Sequence, residues 1–177
     1  MAADNTKTIS VLLTVYSDRA SKIIQRITAS QYSHAAIGME NNRFFTFGFK
    51  KGLKKGFRAE KPWLFAKSKR NTESCVLYKL EVSEDTYAAI ENRLQDFKDN
   101  KAEYTYSFLG ALLCFLRIPH NFKKQYFCSR FVAELLSESG ALQLKKSPSL
   151  YQPDDFTKES RLALCFQGDL AGLANVI

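Results

Sequence analysis

The order of apolar and polar residues along the chain predicts strands that alternate with helices. Residues 8–16 (TISVLLTVY) form a β-branched apolar run, which is typical of a buried strand. Isoleucines at helical spacing then predict a helix over residues 18–29. Residues 34–39 (HAAIGM) and 43–49 (RFFTFGF) have the composition of two further strands. The intervening Asn41 and Asn42 indicate a turn that pairs these two strands as a hairpin.

Strand and helix signals continue to alternate further along the chain. Residues 74–82 (SCVLYKLEV) predict a fourth strand, and Ser83 is placed to cap the helix that follows it. Apolar residues at helical spacing mark the buried face of that helix, namely Tyr87, Ile90, Leu94 and Phe97. Two more helices, over residues 107–116 and 127–138, and a late strand over residues 161–166 complete the pattern.

This pattern predicts the α+β fold class. No internal repeat and no dividing linker is visible, so we expect one domain over residues 1–177, in which a small and mostly antiparallel sheet packs against helices. The length is sufficient for one domain with a substantial core. Hydrophobic residues make up 45% of the chain and aromatic residues 13%, which is typical of a globular protein and excludes a disordered one.

Two features bear on where the protein works. The longest apolar stretch, residues 108–118, is much shorter than the roughly 20 residues that a membrane-spanning helix needs, and Arg117 interrupts it. We expect this stretch to form a buried helix. The polar N-terminus contains no apolar core of the kind found in a secretion signal, and we therefore expect a cytoplasmic location.

The net charge of +8 is concentrated in one part of the chain, the basic segment of residues 50–70. Only one acid, Glu60, lies there beside nine of the 26 basic residues, so the remainder of the chain has 17 of each sign. Glycines and a proline predict that the segment is a loop.

The basic segment also bears on the partners of the protein. Its interleaved basic and apolar residues favour contact with an anionic membrane surface or an acidic substrate, and a solvated loop is the alternative. No nucleic-acid-binding motif accompanies the charge, so no nucleic-acid partner is expected. The nine basic residues are Lys50, Lys51, Lys54, Lys55, Arg58, Lys61, Lys67, Lys69 and Arg70.

One of the four cysteines is placed for chemistry. Cys75, Cys114 and Cys165 lie in apolar runs and are expected to be buried small hydrophobes. No cysteine pair has the spacing of zinc ligands, and we expect neither a metal nor another cofactor. Cys128 falls at the start of the predicted helix 127–138, where backbone N–H groups and the helix dipole stabilise a thiolate and hold an oxyanion. A buried structural cysteine is the alternative reading of this position.

A nucleophilic thiol needs a base, and the chain has two histidines. His34 begins a predicted strand, which would hold its ring rigidly, as a general base requires. His120 lies in a predicted loop and is the other candidate. The base in turn needs a partner on its second ring nitrogen. Thr46 on the neighbouring strand is the small polar candidate for this third position, and Glu40, at the far end of the His34 strand, is the alternative.

Two short motifs resemble those of a known family. Residues 32–38 (YSHAAIG) and 127–136 (FCSRFVAELL) are similar to the histidine strand and the cysteine helix of the circularly permuted NlpC/P60 (papain-like) superfamily. That superfamily includes YiiX-like proteins and, more distantly, lecithin:retinol acyltransferase-like enzymes. Its histidine strand precedes its cysteine helix, as His34 precedes Cys128 here. The resemblance covers residues 8–166 loosely, with softer matches at residues 45–48 (FTFG), at Gly56, Phe57 and Glu60, and at residues 152–156 (QPDDF).

The resemblance implies a papain-like fold, in which a small sheet or half-barrel packs against helices. It implies Cys128 as the nucleophile, His34 as the base and, by position, Thr46 as the third catalytic residue. Many relatives have His, Glu or Gln at the third position, so Thr46 departs from the pattern. The residues that precede His34 and Cys128 closely in the sequence are expected to contact the substrate; they are Tyr32, Ser33 and Tyr126.

The expected activity is that of a thiol-dependent hydrolase of the amidase or peptidase type, which works through a thioester acyl-enzyme. The resemblance implies peptide, amide or lipid-ester substrates. An acyltransferase or lipid esterase that uses the same Cys–His dyad is the first alternative. The second is a catalytically weak module of the same fold that binds lipids or peptides, and a threonine in the third position is the feature that favours it.

Overall fold

The computed structural model describes residues 6–15, 30–50, 53–61 and 73–177. Its longer strands are β1 (Thr6–Thr14), β2 (His34–Met39), β3 (Arg43–Lys50), β4 (Leu53–Glu60) and β5 (Ser74–Ser83). Two strands of two residues, β6 (Thr105–Tyr106) and β7 (Gln125–Tyr126), precede β8 (Ala163–Asp169). The helices are α1 (Glu84–Asp99), α2 (Phe108–Phe115), α3 (Cys128–Glu138) and α4 (Leu170–Leu173). Single 3₁₀ turns cover Glu40–Asn42, Pro148–Leu150 and Pro153–Lys158.

Six strands form one antiparallel sheet in the order β4-β3-β2-β1-β5-β8. The two short strands β6 and β7 pair in parallel as a separate ribbon. The expected α+β class with a mostly antiparallel sheet packed against helices is therefore confirmed. Among the described residues, no helix is both long enough and apolar enough to cross a membrane.

The basic segment contains a strand where the sequence predicted a loop. Strand β4 pairs antiparallel with β3 from Phe44 opposite Glu60 to Lys50 opposite Leu53, with a shift in register between Gly48 and Lys50. Its Gly56, at φ 156°, faces the carbonyl of Tyr104, where a β-carbon would meet the oxygen at 3.2 Å. The glycine that suggested a loop therefore permits a close approach of two backbones. Residues 62–72 and the predicted helix over residues 18–29 lie outside the described residues.

Two helices begin at a side-chain cap, and the cap of the first, Ser83, is the one that the sequence predicted. The hydroxyl of Ser83 accepts a hydrogen bond from the N–H of Thr86 at the start of α1, and Ser107 accepts one from Gly110 at the start of α2. All four predicted buried residues of α1 are buried. Helix α2 is placed correctly, but the expectation that it is buried is wrong: of its residues only Gly110 and Cys114 are buried. Cys165, expected in the core, is exposed on β8, an edge strand.

The sheet has a core on each face because alternate residues of each strand point to opposite sides. On one face, Ile9, Val11 and Leu13 of β1 join the cluster that contains the buried residues of α1 and α3. On the other face, Leu12 joins a smaller cluster that is completed by Leu170 and Leu173 of α4. Helix α3 is thereby held against β2 and β3, which places the start of α3 beside the start of β2.

Five rings form an aromatic cluster that connects α3 to the strands beneath it. The ring centroids of Phe47 on β3 and Phe131 on α3 are 5.1 Å apart, and those of Phe57 and Phe97 are 5.6 Å apart. Tyr126 lies 5.3 Å from Phe97, edge to face. Aromatic pairs at these separations add to the free energy gained from burial alone. The cluster joins β3, β4, α1, β7 and α3 into one packed unit.

Removing the central ring of the aromatic cluster should destabilise the whole fold. We expect Phe97→Ala to lower the free energy of unfolding by about 3–5 kcal/mol, since it leaves a cavity among the four other rings of the cluster and the ring of Tyr104. Urea denaturation measures the change. The control is Leu164→Ala on β8, where the side chain is 57% exposed and a change within about 0.5 kcal/mol is expected. Equal losses in the two variants would contradict this account of the core.

Candidate active site

Helix α3 begins at Cys128, and no side chain caps this end. Phe127, in extended conformation at φ −118° and ψ 167°, is the preceding residue and offers no polar side chain. The first N–H groups of a helix have no partner within the helix, and here one of them, that of Ser129, faces the thiol. The backbone N–H groups of Ser129 and Ala35 donate hydrogen bonds to the Cys128 sulfur. The thiol therefore occupies the place of a capping group, where a negative charge is stabilised.

His34 is the first residue of β2 and lies between a thiol and a carboxylate. Its Nε2 is 3.1 Å from Oε2 of Glu60, and both side chains are buried. The ring also makes a side-chain hydrogen bond with Cys128. Because Nε2 faces Glu60, Nδ1 is the ring nitrogen that remains for the thiol. The three side chains form a buried row in the order Cys128, His34, Glu60.

Glu60, the last residue of β4, is held in turn by Arg58. The two residues are two positions apart, so they point to the same face of the sheet, and Nη2 of Arg58 donates to Oε1 of Glu60. One carboxylate oxygen thus faces the imidazole, and the other faces the guanidinium. Arg58 is partly exposed, with a side-chain exposure of 23%. The row of alternating charges therefore ends at the protein surface, where water solvates the last member.

The electrostatics of this row favour a thiolate and an imidazolium. Burial opposes a charge on the ring, but Glu60 and the hydrogen bonds with Cys128 and Glu60 outweigh it and raise the pKa of His34 to about 9. Burial likewise opposes ionisation of Glu60, yet His34 and Arg58 lower its pKa to about 2. Burial would raise the pKa of Cys128, but His34 and the N–H groups of Ala35 and Ser129 lower it below its ordinary value. These shifts are coupled, since each charge stabilises its neighbour.

Thr46, predicted to orient the His34 ring, contacts the backbone and not the ring. Its hydroxyl donates to the carbonyl oxygen of Ala35 at 2.7 Å, and it lies 3.3 Å from the carbonyl of Phe47. The paired residues of β2 and β3 end at Ile37 opposite Phe45. The carbonyl of Ala35 lies beyond this end of the pairing, and the Thr46 hydroxyl satisfies it. This corrects the expectation for the third position, because Glu60 is the partner of His34. Glu40, the other candidate, forms a salt bridge with Lys7.

The three residues expected to contact substrate lie in two different places. Tyr32 and Ser33 line a cavity beside Cys128, and the backbone N–H of Tyr32 donates to Oδ1 of Asp154 at 2.9 Å. Tyr126 lies in the aromatic cluster instead, and its hydroxyl donates to Glu134 at 2.6 Å. The expectation for Tyr126 is therefore wrong. The Tyr126 side chain, two residues before the start of α3, points into the core and away from the thiol.

The cavity beside Cys128 has mostly apolar walls. Helix α2 contributes Ala111, Cys114 and Phe115 to one side, and Gln152 and Pro153 contribute to another. The hydroxyl of Ser129 donates to the carbonyl of Tyr151 at 2.7 Å, which ties the start of α3 to this wall. Tyr106 on β6 also lines the cavity. Burial raises the pKa of Tyr106, and so does the negative charge of the nearby Cys128.

Glu60 and Tyr106 are the site residues that the sequence analysis did not assign. A signal for Glu60 exists, because it is the only acid among the nine basic residues of the basic segment and lies two positions after Arg58. Tyr106 has no comparable signal, since only the pairing of β6 with β7 brings it to the cavity. His120 packs against the rings of Phe122 and Phe127, and burial lowers its pKa.

Of the side chains that the structure describes, no group of three or more His, Cys, Asp and Glu residues is arranged to hold a metal ion. Cys75 and Cys114 are both buried, and burial raises the pKa of each thiol to about 12. Cys128 is buried as well, but its pKa is shifted in the opposite direction. Proximity to His34 and to the start of α3 therefore lowers the pKa of Cys128, whereas burial alone raises the pKa of Cys75 and Cys114.

Thiol alkylation measures this difference directly. In a Cys165→Ser background, we expect iodoacetamide to alkylate Cys128 at pH 6 much faster than a model peptide thiol, because its lowered pKa makes a larger fraction of the thiol ionised. His34→Ala should slow the reaction at pH 6 roughly tenfold or more, since it removes the imidazolium. Mass spectrometry of peptides gives the rate, with Cys75 and Cys114 as unreactive internal controls. A rate no greater than that of the model thiol would contradict the ion pair.

The titration of His34 distinguishes Glu60 from Thr46. We expect Glu60→Gln to lower the pKa of His34 by roughly one unit or more, because it removes the charge that stabilises the imidazolium. Thr46→Ser, which keeps the hydroxyl, and Thr46→Val, which removes it, should leave that pKa unchanged. Nuclear magnetic resonance of labelled histidines follows the titration, with His120 as the internal reference. A shift in Thr46→Val as large as in Glu60→Gln would restore Thr46 as the orienting residue.

Neither a scan against protein-family models nor a search of curated proteins finds a match to the chain. The chemistry open to the row of Cys128, His34 and Glu60 follows from its own geometry.

Proposed function

We propose that the protein is a thiol-dependent hydrolase of the amidase or peptidase type. Cys128 is the nucleophile, His34 is the general base and acid, and Glu60 orients the His34 ring and stabilises its positive charge. The observation that carries the proposal is the position of His34, hydrogen bonded to Cys128 on one side and 3.1 Å from Glu60 on the other. A nucleophile, a base and an acidic partner in this order form the constellation that nucleophilic catalysis requires.

The resemblance to the permuted NlpC/P60 superfamily supports the same proposal. The two motifs that carry it contain His34 and Cys128, and these residues meet although 93 positions separate them in the chain. The antiparallel sheet with the cysteine helix packed against the histidine strand agrees with a papain-like architecture, which we propose for this fold. Glu60 fills the role for which many relatives use a charged or amide side chain.

The acylation half of the proposed reaction starts from the thiolate of Cys128. Its sulfur attacks the carbonyl carbon of an amide or ester, a C–S bond forms, and the carbonyl oxygen becomes an oxyanion. In this proposal the backbone N–H of Cys128, the first residue of α3, stabilises that oxyanion. As the C–N or C–O bond breaks, the imidazolium of His34 gives its proton to the leaving group. A thioester acyl-enzyme and a neutral imidazole remain.

The deacylation half returns the enzyme to its starting state. The neutral ring of His34 takes a proton from water, whose oxygen attacks the thioester carbonyl. The C–S bond then breaks, the acid product leaves, and Cys128 is again a thiolate beside an imidazolium. Glu60 stays ionised throughout, because its pKa is lowered to about 2 by His34 and Arg58 against the effect of burial. It therefore stabilises the charge on His34 without taking up the proton.

An acyltransferase or lipid esterase with the same residues is the second candidate. It is favoured by the apolar walls of the cavity beside Cys128, where Ala111, Phe115 and Phe127 would contact an acyl chain more favourably than a peptide backbone. In a transferase, a second substrate replaces water in the deacylation half. The contact between the basic segment and an anionic surface also stays a prediction, since much of that segment lies outside the described residues.

Hydrolysis of an activated ester such as 4-nitrophenyl acetate tests the proposed chemistry. We expect a bell-shaped dependence of kcat/KM on pH. The acid limb follows formation of the Cys128 thiolate, and the alkaline limb, near pH 9, follows loss of the His34 proton. Glu60→Gln should lower kcat/KM on the order of 100-fold and move the alkaline limb to lower pH. Intact mass spectrometry should detect one acyl group on the wild-type protein.

The controls separate this activity from general thiol reactivity. Cys128→Ala should abolish turnover and acyl transfer to the protein, whereas Cys165→Ala, at an exposed thiol, should change neither. The proposal fails if Cys128→Ala retains activity, or if the wild-type protein forms no acyl-enzyme at any pH between 5 and 9. Retained iodoacetamide reactivity without any ester turnover would instead favour a binding module of the same fold.

A further inference from the structure

Helix α2 is apolar around its whole circumference. Its sequence, FLGALLCF, contains no polar or charged side chain, and the apolar character continues to Leu116 and Ile118. A helix of this composition is normally buried on every side. Here one side packs on the protein, through Gly110 and Cys114, and Ala111 and Phe115 line the cavity beside Cys128.

The opposite side of α2 is exposed to solvent. Four residues define what we call the α2 patch: Leu109 (56% exposed), Leu112 (52%), Leu116 (52%) and Ile118 (47%). The spacing of the three leucines places them on one face of the helix. With Phe108, this short stretch holds five of the seven large hydrophobic side chains that are exposed among the described residues. Isolated exposed leucines are ordinary, but a contiguous group marks an interaction surface.

The segment of the chain that carries the α2 patch has charges of a single sign. Residues 104–133 contain no acid, and their basic residues are Arg117, Lys123, Lys124 and Arg130. Arg117 lies between two members of the patch, and Lys123 follows in the exposed turn before β7. Arg130 is buried against Glu134, and Lys124 pairs with Glu103. Arg117 and Lys123 are exposed and form no salt bridge with the described residues, so they are the cations of this segment that an anionic partner would meet.

We propose that the α2 patch docks the protein on an anionic lipid surface. Leucine and isoleucine side chains enter the apolar boundary of the bilayer, and the bordering cations meet its anionic headgroups. A second copy of the chain fits less well, because a two-fold contact would bring the cations of this segment in both copies together, and the segment itself contains no acid to pair with them. The proposal rests on exposure and charge and does not depend on the chemistry of Cys128.

Docking in this orientation also has a consequence for the cavity. The face of α2 that lines it is directly behind the face that would enter the lipid. Only helix α2 would lie between the bilayer and the cavity that contains Cys128, so a lipid molecule leaving the bilayer there would have a short path to the thiol. The docking surface and the candidate active site are thus two sides of one structural element.

Sedimentation with lipid vesicles tests the proposal on the full chain. Vesicles of phosphatidylcholine with phosphatidylglycerol provide the anionic surface, and pure phosphatidylcholine vesicles provide the neutral comparison. We expect the wild-type protein to bind the anionic vesicles and Leu112→Ser/Leu116→Ser to weaken the partition coefficient roughly tenfold or more. The matched control is Leu164→Ser, which removes an equally exposed leucine from the edge strand β8 and should change binding by less than twofold.

A second pair of variants tests the role of charge. Arg117→Gln/Lys123→Gln should weaken binding to anionic vesicles at low salt, whereas Lys158→Gln, at a side chain 70% exposed elsewhere, should not. Circular dichroism verifies that each variant is folded. If the double leucine variant does not fold, Leu109→Ser replaces it with the same expectation.

Three results would overturn the proposal. The first is absence of binding to anionic vesicles, or equal loss of binding in Leu164→Ser. The second is loss of binding in Lys54→Gln/Lys55→Gln with full binding in the leucine variants, which would assign the contact to the basic segment. The third is a concentration-dependent dimer, seen by light scattering, that the leucine variants abolish while vesicle binding is absent, which would assign the patch to a second copy.

Discussion

The candidate site depends on one contact, the packing of the start of helix α3 against the first residue of strand β2. That contact places a thiol, an imidazole and a carboxylate in a largely buried region, where an unpaired charge is very unfavourable. The arrangement is tolerated because each charge has a neighbour of opposite sign, from Cys128 to His34, Glu60 and Arg58. Removing one member would leave its neighbour buried and uncompensated. The backbone N–H groups of Ser129 and Ala35 complete the solvation of the sulfur.

The rest of the fold can be understood as the support of that contact. The aromatic cluster holds α3 on β3 and β4, and Asp154 fixes the segment before β2 by accepting hydrogen bonds from the N–H groups of Gln31 and Tyr32. Thr46 satisfies the carbonyl of Ala35 where the pairing of β2 and β3 ends. These contacts restrict how far the thiol and the ring can separate. Rigid support of this kind is what a reacting pair requires, because small displacements strongly reduce the rate.

Helix α2 connects the candidate site with the surface of the protein. One of its sides lines the cavity beside Cys128, and the other carries the exposed leucines of the α2 patch. An apolar helix that the protein covers on one side only is thermodynamically unfavourable in water, at about 25 cal/mol for each Å² of exposed apolar surface. A lipid surface would remove that surface from water without changing the fold. The apolar walls of the cavity and the apolar patch are therefore consistent with each other.

The sequence by itself determined most of the longer elements and named the two residues that we propose as the reacting pair. Periodicity and caps placed β2, β3, β5, α1 and α3 within a few residues, and the start of α3 singled out Cys128, because these signals are local. Three assignments needed the tertiary structure: the strand β4 in the basic segment, Glu60 in place of Thr46, and the core position of Tyr126. Each depends on which distant segment a residue meets. His34 could be named from its strand, but its partner lies 26 residues further on and reaches it only after β3 and β4 have paired. Side-chain pairing across a sheet is set by register and packing, which no local pattern encodes.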